Sequence, residues 1–206
     1  VNILVPGRST VNVPRMSVVL ETLQFLGQCA TNLRTTGAFA PSGKALARAM
    51  VTAMGQLEPG QVIVELGPGT GVFTREIRKR YPTHPVVAIE FNELFVKRLR
   101  QRMSDIHVVQ GCASKTVGHL NALGFEKNQV GAVLSGLPLL SLPRDLSNSI
   151  FAAIADVLEP GRRYVQFTYS KRMWRRFQPP GFRFDQSRMV WLNVPPAVVM
   201  PFTRVA

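Results

Sequence analysis

The sequence predicts an α/β fold in which a doubly wound, mostly parallel sheet carries helices on both faces. Three observations support this class. Short β-rich runs alternate with helix-forming segments through the middle of the chain, and the glycine turn "ELGPGTG" joins the first run to the next helix. Near the end, "MVWLNV" and "AVVMPFTRV" are separated only by a turn at Pro195–Pro196. The predicted sheet therefore ends in an antiparallel hairpin.

The elements follow from local patterns. Residues 1–14 are rich in proline and glycine and predict an extended arm. Apolar residues recur at spacings of three and four from Met16 to Arg34, which predicts an amphipathic helix, and Ser42 is a favourable N-cap for a second helix ending near Met54. Strands are then predicted at Gln61–Leu66, 85–90, 106–111, Val130–Gly136 and within 159–170, with helices at Thr70–Lys79, Glu93–Met103 and about Arg144–Leu158.

Composition limits the possible functions. The 206 residues include 46% hydrophobic ones, which is typical of a globular protein. No apolar stretch approaches the roughly 20 residues of a membrane-spanning helix, no secretory signal is evident, and two cysteines do not make a disulfide framework. We therefore expect a cytoplasmic protein. The formal net charge of +13 predicts attraction to polyanions, either nucleic acid or anionic lipid.

The basic residues form two groups. Eight lie in Arg75–Arg102 and are expected to cover the solvated faces of two helices. Eight more lie in Arg162–Arg188, where Trp174 and Phe177 are interspersed among the cations of "SKRMWRRF". Aromatic residues among cations are typical of a membrane interface or of a surface that stacks single-stranded nucleic acid.

The glycine turn indicates a ligand site at the carboxyl edge of the sheet. Its glycines, Gly67, Gly69 and Gly71, allow a tight turn and a close approach of backbone to ligand. The spacing is G-x-G-x-G rather than the G-x-G-x-x-G of dinucleotide sites. Glu65 places a carboxylate where a cationic group is favoured, and Glu90 ends the next strand, where a carboxylate accepts from ribose hydroxyls. A ribose joined to a cationic amino acid describes S-adenosylmethionine.

At these residues the sequence resembles the class I S-adenosylmethionine-dependent methyltransferases. The resemblance implies a Rossmann-like, seven-stranded, mostly parallel sheet that ends in an antiparallel hairpin, with extra N-terminal helices. It also implies that Phe91 flanks the adenine and that Gly111, Cys112 and Ala113 border it, although Cys112 stands where many members have an acidic residue. The other implied cofactor ligands are Glu65, Gly67, Gly69, Gly71, Glu90 and Ser135.

The segment "SGLPLL" after the fourth strand indicates which class of methyl acceptor the site takes. In rRNA adenine dimethylases this position resembles Asn-apolar-Pro-aromatic, whereas Gly136 and Leu139 stand here in place of the amide and the aromatic. Together with "GAFAPSGKALARAM" and "VWLNVPPAVV", the segment resembles the bacterial phospholipid N-methyltransferases of the Sinorhizobium type. That resemblance implies methylation of phosphatidylethanolamine, and of its mono- and dimethyl forms, toward phosphatidylcholine, without a metal.

The phospholipid resemblance assigns the remaining residues. Tyr169 and Ser135 are the catalytic candidates, and the candidate substrate contacts are Leu137, Pro138, Lys171 and Arg172. Residues 1–41 would form an amphipathic helix and lid loop, and residues 42–206 the methyltransferase domain. We expect a peripheral protein, favoured as a monomer, on the inner face of the bacterial cell membrane, where basic residues contact anionic lipid and apolar residues 137–142 admit acyl chains.

Three alternatives stay open at this point. The first is an rRNA adenine N6-methyltransferase-like enzyme, which the charge supports and Gly136 and Leu139 oppose, so that nucleic acid is an unlikely partner. The second is a basic protein with this fold that binds nucleic acid and transfers nothing. The third is methylation of a small molecule, which the amphipathic helix at Met16–Arg34 disfavours. No general base is assigned, although His107 and His119 are possible ones.

Overall fold

The computed structural model describes residues 40–169, 178–193 and 195–206, with the side chains described from residue 43 onward. Five α-helices lie in these ranges: α1 Ala40–Ala53, α2 Val72–Arg80, α3 Glu93–Arg102, α4 Thr116–Ala122 and α5 Arg144–Val157. Eight strands accompany them: β1 Val62–Leu66, β2 Val86–Glu90, β3 His107–Gln110, β4 Val130–Ser135, β5 Arg163–Thr168, β6 Phe182–Phe184, β7 Arg188–Val190 and β8 Ala197–Arg204.

All eight strands belong to one sheet. Its order is β3-β2-β1-β4-β5-β8-β6, and β7 also pairs with β8. The first five strands in this order are parallel, and β8 runs antiparallel to β5 with Thr168 opposite Val198. Both β6 and β7 are antiparallel to β8, β6 along its second half and β7 along its first residues. The eight strands therefore occupy seven positions, as the predicted seven-stranded sheet requires, with the outermost position divided between β6 and β7.

The central strands are buried on both faces, which is why their sequences are almost entirely apolar. Every residue of β1, β2 and β4 is buried. One face packs against α5, through residues such as Ile150 and Ile154, and the other packs against α1 and α2, through residues such as Met50 and Ile77. The two helical layers predicted from the alternating pattern are confirmed.

Some local predictions differ from the structure. Helix α1 includes position 42, so the prediction that Ser42 caps it is wrong, and the proposed domain boundary between residues 41 and 42 falls within this helix. Helix α4 was not predicted, because its seven residues, TVGHLNA, include a glycine and only three apolar side chains. The predicted helix at Met16–Arg34 lies outside the described residues. The terminal hairpin is confirmed, but its first strand ends at Val190, before Trp191.

Several cations between Arg75 and Arg102 have structural partners as well as a solvated surface. Arg78 donates to the carbonyls of His84 and Asp105 at 2.7 and 2.6 Å and pairs with the Asp105 carboxylate. Arg100 donates to the Val108 carbonyl at 2.9 Å. These bonds fasten α2 to the loops that precede β2 and β3, and α3 to β3 itself, so only part of the basic group is available to a partner. Within the described residues, no helix is long and apolar enough to cross a membrane.

Candidate functional site

The parallel strands β1 to β5 end at one edge of the sheet, and the glycine turn follows β1 at this edge. Gly67, Gly69 and Gly71 all have positive φ, at 68°, 54° and 75°. The Gly67 N–H donates to the Ile89 carbonyl at 2.9 Å, which fixes the start of the turn beside β2. A Cβ built on Gly69 would meet no atom within 4 Å, so the middle of the turn borders open space. A ligand can therefore approach the backbone at Gly69.

Glu90 ends β2 and holds this turn in place. Its two carboxylate oxygens accept from the Gly69 N–H and the Asn92 N–H, both at 2.9 Å. Burial raises the pKa of Glu90 above its ordinary value, while the backbone donors at Asn92 and Gly69 lower it. Each oxygen has a second lone pair, so the carboxylate that orders the turn can also accept from a ligand hydroxyl. Glu90 thus links the shape of the glycine turn to the predicted ribose position.

Glu65, in β1, is the most unusual charge of the site. Its side chain is fully buried, and its carboxylate oxygens make no hydrogen bond of good geometry within the described residues, although the hydroxyl and N–H of Thr74 lie near enough to interact with them. The pKa of Glu65 is raised to about 8, mainly by burial and also by the charge of Glu90, while the hydrogen bonds from Thr74 and the charge of Arg75 limit the increase. A buried acid with such weak hydrogen bonding is costly unless a ligand supplies a partner. The ammonium of a bound amino acid would be such a partner.

The residues predicted to border the adenine follow β2 and β3. Ala113 is buried at the start of a short 3₁₀ turn, Ala113–Lys115, and Cys112 Sγ lies 3.1 Å from Ser114 Oγ. Phe91 is partly exposed beside them. The His119 ring packs against Gly111 so closely that a Cβ at this glycine would collide with it. His119 thus lies at the end of β3, three strand positions or about 14 Å from β4, which does not favour it as a base near the methyl acceptor.

Ser135, at the end of β4, belongs to a buried hydrogen-bond network. Its side chain is fully buried, and its hydroxyl accepts from the Leu137 N–H at 3.2 Å. Tyr164 donates to Gln166 at 2.8 Å, and Gln166 in turn donates to the Leu137 carbonyl at 2.9 Å. Burial raises the pKa of Tyr164 well above its ordinary value, and the Ser135 hydroxyl lowers it. The network holds both backbone groups of Leu137, and the catalytic role of Ser135 stays a prediction.

The loop after β4 is in direct contact with the glycine turn. A Cβ on Gly136 would lie 2.6 Å from the Gly67 carbonyl oxygen, so no larger residue fits without moving the backbone. The Leu137 side chain packs over Gly67. Leu139 and Leu142 are buried in the core, which leaves Leu137, Pro138 and Leu140 as the apolar surface of this loop. The expectation that the whole 137–142 loop admits acyl chains is therefore too broad.

A row of three aromatic side chains runs along the same edge, and sequence reasoning found only its last member. Phe73 of α2 lies edge-on to Phe167 of β5 at 5.8 Å between centroids, and Phe167 lies edge-on to Tyr169 at 5.4 Å. Burial of part of the Tyr169 ring raises its pKa, and the Asn193 side chain lowers it. The alternation of "FTY" places Phe167 and Tyr169 on one face of the strand, which was a usable signal. No local pattern could have added Phe73, because its contact is tertiary.

The structure thus brings most of the predicted site together. The glycine turn, Glu65, Glu90 and the Gly136 loop meet at one edge, and Tyr169 follows β5 at this edge. Lys171 and Arg172 lie outside the described residues, so their predicted contact with substrate stays a prediction. Within the described ranges, no three His, Cys, Asp or Glu side chains are grouped as metal ligands would be.

These features fit S-adenosylmethionine. The open space above Gly69 admits a ligand, the buried and poorly hydrogen-bonded Glu65 carboxylate suits an ammonium, and Glu90 has lone pairs left for ribose hydroxyls. The backbone of Gly111, Cys112 and Ala113 would border the adenine at the next strand. The apolar Leu137 lies beside the turn, where the methyl group would leave.

Comparison with known proteins agrees with this site. The family described as "Methyltransferase domain" matches residues 63–161. An ornithine lipid N-methyltransferase from Singulisphaera acidiphila is 33% identical over 183 residues, which cover 84% of this chain and 91% of that protein. The shared sequence thus extends beyond the cofactor half of the domain.

Solved structures share the fold. The 1,6-didemethyltoxoflavin-N1-methyltransferase of Burkholderia thailandensis, solved with S-adenosylhomocysteine, has a TM-score of 0.69 at 15% identity and covers 98% of this chain and 94% of its own. TrmN from Thermus thermophilus has a TM-score of 0.62 at 23% identity over 78% of this chain, which spans about half (48%) of the TrmN chain. The fold, the cofactor site and the sequence relative agree: this chain belongs to the class I S-adenosylmethionine-dependent methyltransferases, and S-adenosylmethionine is its cofactor.

Proposed function

We propose that the protein is an N-methyltransferase acting on the primary amine of a membrane lipid. The observation that supports this most is the acceptor side of the site, which is apolar and aromatic and is formed by Leu137, Pro138 and the Phe73–Phe167–Tyr169 row. The relative from Singulisphaera acidiphila is named for an ornithine lipid. Ornithine lipid is therefore the first candidate substrate, and phosphatidylethanolamine, as the sequence resemblance implies, is the second.

The two candidate lipids share the reacting group. Each offers a primary amine, and each has an anionic group near it: a carboxylate in ornithine lipid and a phosphate in phosphatidylethanolamine. An aromatic row is suited to the amine end, because aromatic faces attract ammonium groups and quaternary ammonium products in particular. Lys171 or Arg172, which follow Tyr169 in the sequence, are our candidates for the anionic end.

The chain's own residues mainly position the reactants. Bound S-adenosylmethionine supplies a methyl group that its sulfonium has already activated for displacement by a nucleophile. The tethered Leu137 backbone and the aromatic row would hold the neutral amine in line with that methyl, which is the larger part of catalysis for such a displacement. The new N–C bond replaces the S–C bond, and the proton released from the amine goes to solvent. Tyr169 is the candidate for contacting the amine.

Nucleic acid is a weaker proposal for the acceptor. A flipped base is normally held by hydrogen bonds to its edge and by stacking. The loop after β4 has neither an amide nor an aromatic side chain at the corresponding positions, and Gly136 has no room for either because of the Gly67 carbonyl. The positive charge then serves anionic lipid, and a peripheral position on the inner face of the cell membrane remains part of the proposal.

A methyl-transfer assay tests the proposal. Purified protein is incubated with radiolabelled S-adenosylmethionine and, in parallel, with vesicles that contain ornithine lipid, vesicles that contain phosphatidylethanolamine, and ribosomal RNA. We expect label in the lipid extract of one or both vesicle samples and background label in RNA. Label in RNA alone would reject the lipid proposal.

Two controls make this assay specific. Vesicles of phosphatidylglycerol offer the same anionic surface without an amine and should take up no label. The Glu90→Gln variant should lose most transfer to every acceptor, because it weakens the cofactor site while leaving the acceptor side unchanged. If calorimetry shows that this variant binds S-adenosylmethionine more weakly, label that persists at the wild-type rate would come from a contaminating enzyme.

A further inference from the structure

We propose that the turn between β7 and β8 is a membrane-docking element that inserts Trp191 and Leu192 into the interface of an anionic bilayer. The inference rests on the proposed lipid substrate and adds the part of the surface that meets the membrane. It rests on Trp191, Leu192 and Asn193, which the structure describes, and is independent of the predicted helix at Met16–Arg34.

The turn lies at the same edge as the cofactor site. β8 runs antiparallel to β5 with Val198 opposite Thr168, and β7 ends with Val190 opposite Ala197. The turn from β7 into β8 therefore projects beyond the carboxyl ends of the parallel strands. Two strand positions, or about 10 Å, separate β8 from β4 and its Leu137 loop. A membrane against this turn would place lipid headgroups at the acceptor side of the site.

The side chains of the turn are unusually exposed for their type. Trp191 is 68% exposed and Leu192 is 80% exposed, more than any other large hydrophobic side chain among the described residues. The half-exposed Tyr169 follows the end of β5, beside this turn. A single exposed leucine is ordinary, but neighbouring exposed apolar residues at a functional edge indicate an interaction surface.

The turn is held by its own buried anchor. Asn193 is 2% exposed, and its side chain donates to the Pro195 carbonyl at 2.7 Å. The Asn193 N–H donates to the Val190 carbonyl at 3.4 Å. A polar residue thus lies inside and the two apolar residues before it lie outside, the reverse of the arrangement that burial of apolar surface favours. The conformation of the turn keeps Trp191 and Leu192 at its tip.

A lipid bilayer fits this tip better than a second copy of the chain does. Tryptophan is enriched at the membrane–water interface, where its ring is partly apolar and its N–H stays near water. A net charge of +13 attracts anionic headgroups and opposes the approach of another copy. Apolar insertion and attraction to anionic lipid together give binding that neither gives alone.

Sedimentation with vesicles tests the turn in the full chain. The vesicles contain phosphatidylcholine and phosphatidylglycerol, and the variant is the double substitution Trp191→Ser and Leu192→Ser. We expect this variant to bind vesicles about tenfold to a hundredfold more weakly than the wild type, because two apolar side chains no longer enter the interface. The matched control is Leu123→Ser, which removes an exposed leucine after α4 and should change binding less than about twofold.

A fluorescence measurement follows the turn directly. Trp174 and Trp191 are the two tryptophans of the chain, so the Trp174→Phe variant reports on Trp191 alone. We expect its emission to shift to shorter wavelength on vesicles and to be quenched by brominated lipid. Emission that vesicles leave unchanged, or wild-type vesicle binding by the double variant, would overturn the proposal. Self-association that depends on Trp191 and Leu192 without an effect on vesicle binding would also overturn it and would assign the turn to a second copy.

Failure of this inference is distinguishable from failure of the proposed function. The double variant should still bind S-adenosylmethionine with wild-type affinity, which also shows that it is folded. With lipid substrate dispersed in detergent, where no bilayer is needed, it should methylate at the wild-type rate. If the wild type methylates no lipid in any form, the proposed function fails, whereas vesicle sedimentation still decides whether the turn docks on membranes.

Discussion

Replacing Glu65 with glutamine should increase the stability of the fold and decrease its affinity for the cofactor. The carboxyl group is fully buried, and its pKa is raised from 4.5 to about 8 by burial and by the neighbouring Glu90 charge. Unfolding restores the ordinary value, so the folded state binds this proton more tightly than the unfolded chain. Ionisation of the buried carboxyl therefore lowers the free energy of unfolding, relative to a neutral side chain, by about 5 kcal/mol at the alkaline limit and by about 3 kcal/mol near pH 7.

The sign of the pH dependence follows from the raised pKa. The stabilisation from the protonated carboxyl is fully present below 4.5 and is lost as the pH rises through about 8. Glutamine stays neutral at every pH and has nearly the same shape. The free energy of unfolding of E65Q, relative to wild type, should therefore increase by several kcal/mol between about pH 5 and about pH 9. Urea unfolding at the two pH values measures this change.

A control and a binding measurement complete the test. The Glu93→Gln variant removes an exposed carboxylate and should differ from wild type by less than about 0.5 kcal/mol at either pH. A difference between E65Q and wild type that is equal at both pH values would refute the raised pKa. E65Q should also bind S-adenosylmethionine roughly tenfold to a hundredfold more weakly, because the ammonium loses a charged partner. Calorimetry that finds wild-type affinity would remove Glu65 from the cofactor site.

The other predictions concern the turn, its neighbouring loop and the acceptor side. Glu90→Ala should weaken cofactor binding by at least about tenfold, since it removes the predicted ribose acceptor and the hydrogen bond that holds Gly69; calorimetry with unchanged affinity would contradict the assignment. Gly136→Ala should lower stability by about 1–3 kcal/mol because of the Gly67 carbonyl, whereas Gly118→Ala in α4 meets no atom within 4 Å and should be neutral or stabilising by up to about 1 kcal/mol. Thermal unfolding compares the two, and equal effects would reject the steric argument. Tyr169→Phe should raise KM for the lipid about fivefold or more without changing cofactor affinity; an unchanged KM would return Tyr169 to a packing role.

The sequence predicted the order of elements because the local signals are strong. The runs at 62–66, 86–90 and 130–135 are apolar apart from Glu65, Glu90 and Ser135, and each lies in the interior of the sheet, where both faces are covered. The turn residues between Trp191 and the last strand predicted the hairpin. The short helix α4 was not predicted because seven residues give too little periodicity. The start of α1 differs from the predicted start at residue 42, because alanine and proline at 40 and 41 already lie in the helix.

The candidate site, like the fold, could be predicted from the sequence only in part. The glycine spacing and the acidic ends of two strands were enough to predict the cofactor, because both features depend on residues that are close together in the sequence. The sequence did not reveal that Leu139 and Leu142 are core, that His119 packs on Gly111, or that Phe73 begins an aromatic row. Each of these depends on which surfaces meet after the chain has folded.

The sequence alone therefore determined the fold class, the place of the glycine turn and the kind of ligand it binds, since these depend on local propensity and on side-chain type. Only the tertiary structure decided that Glu65 is fully buried, that Gly136 must be glycine and that Trp191 and Leu192 project beside the site. Burial, steric contact and the raised pKa of Glu65 are properties of segments far apart in sequence. They arise only when β1, β4 and the terminal hairpin come together in one sheet.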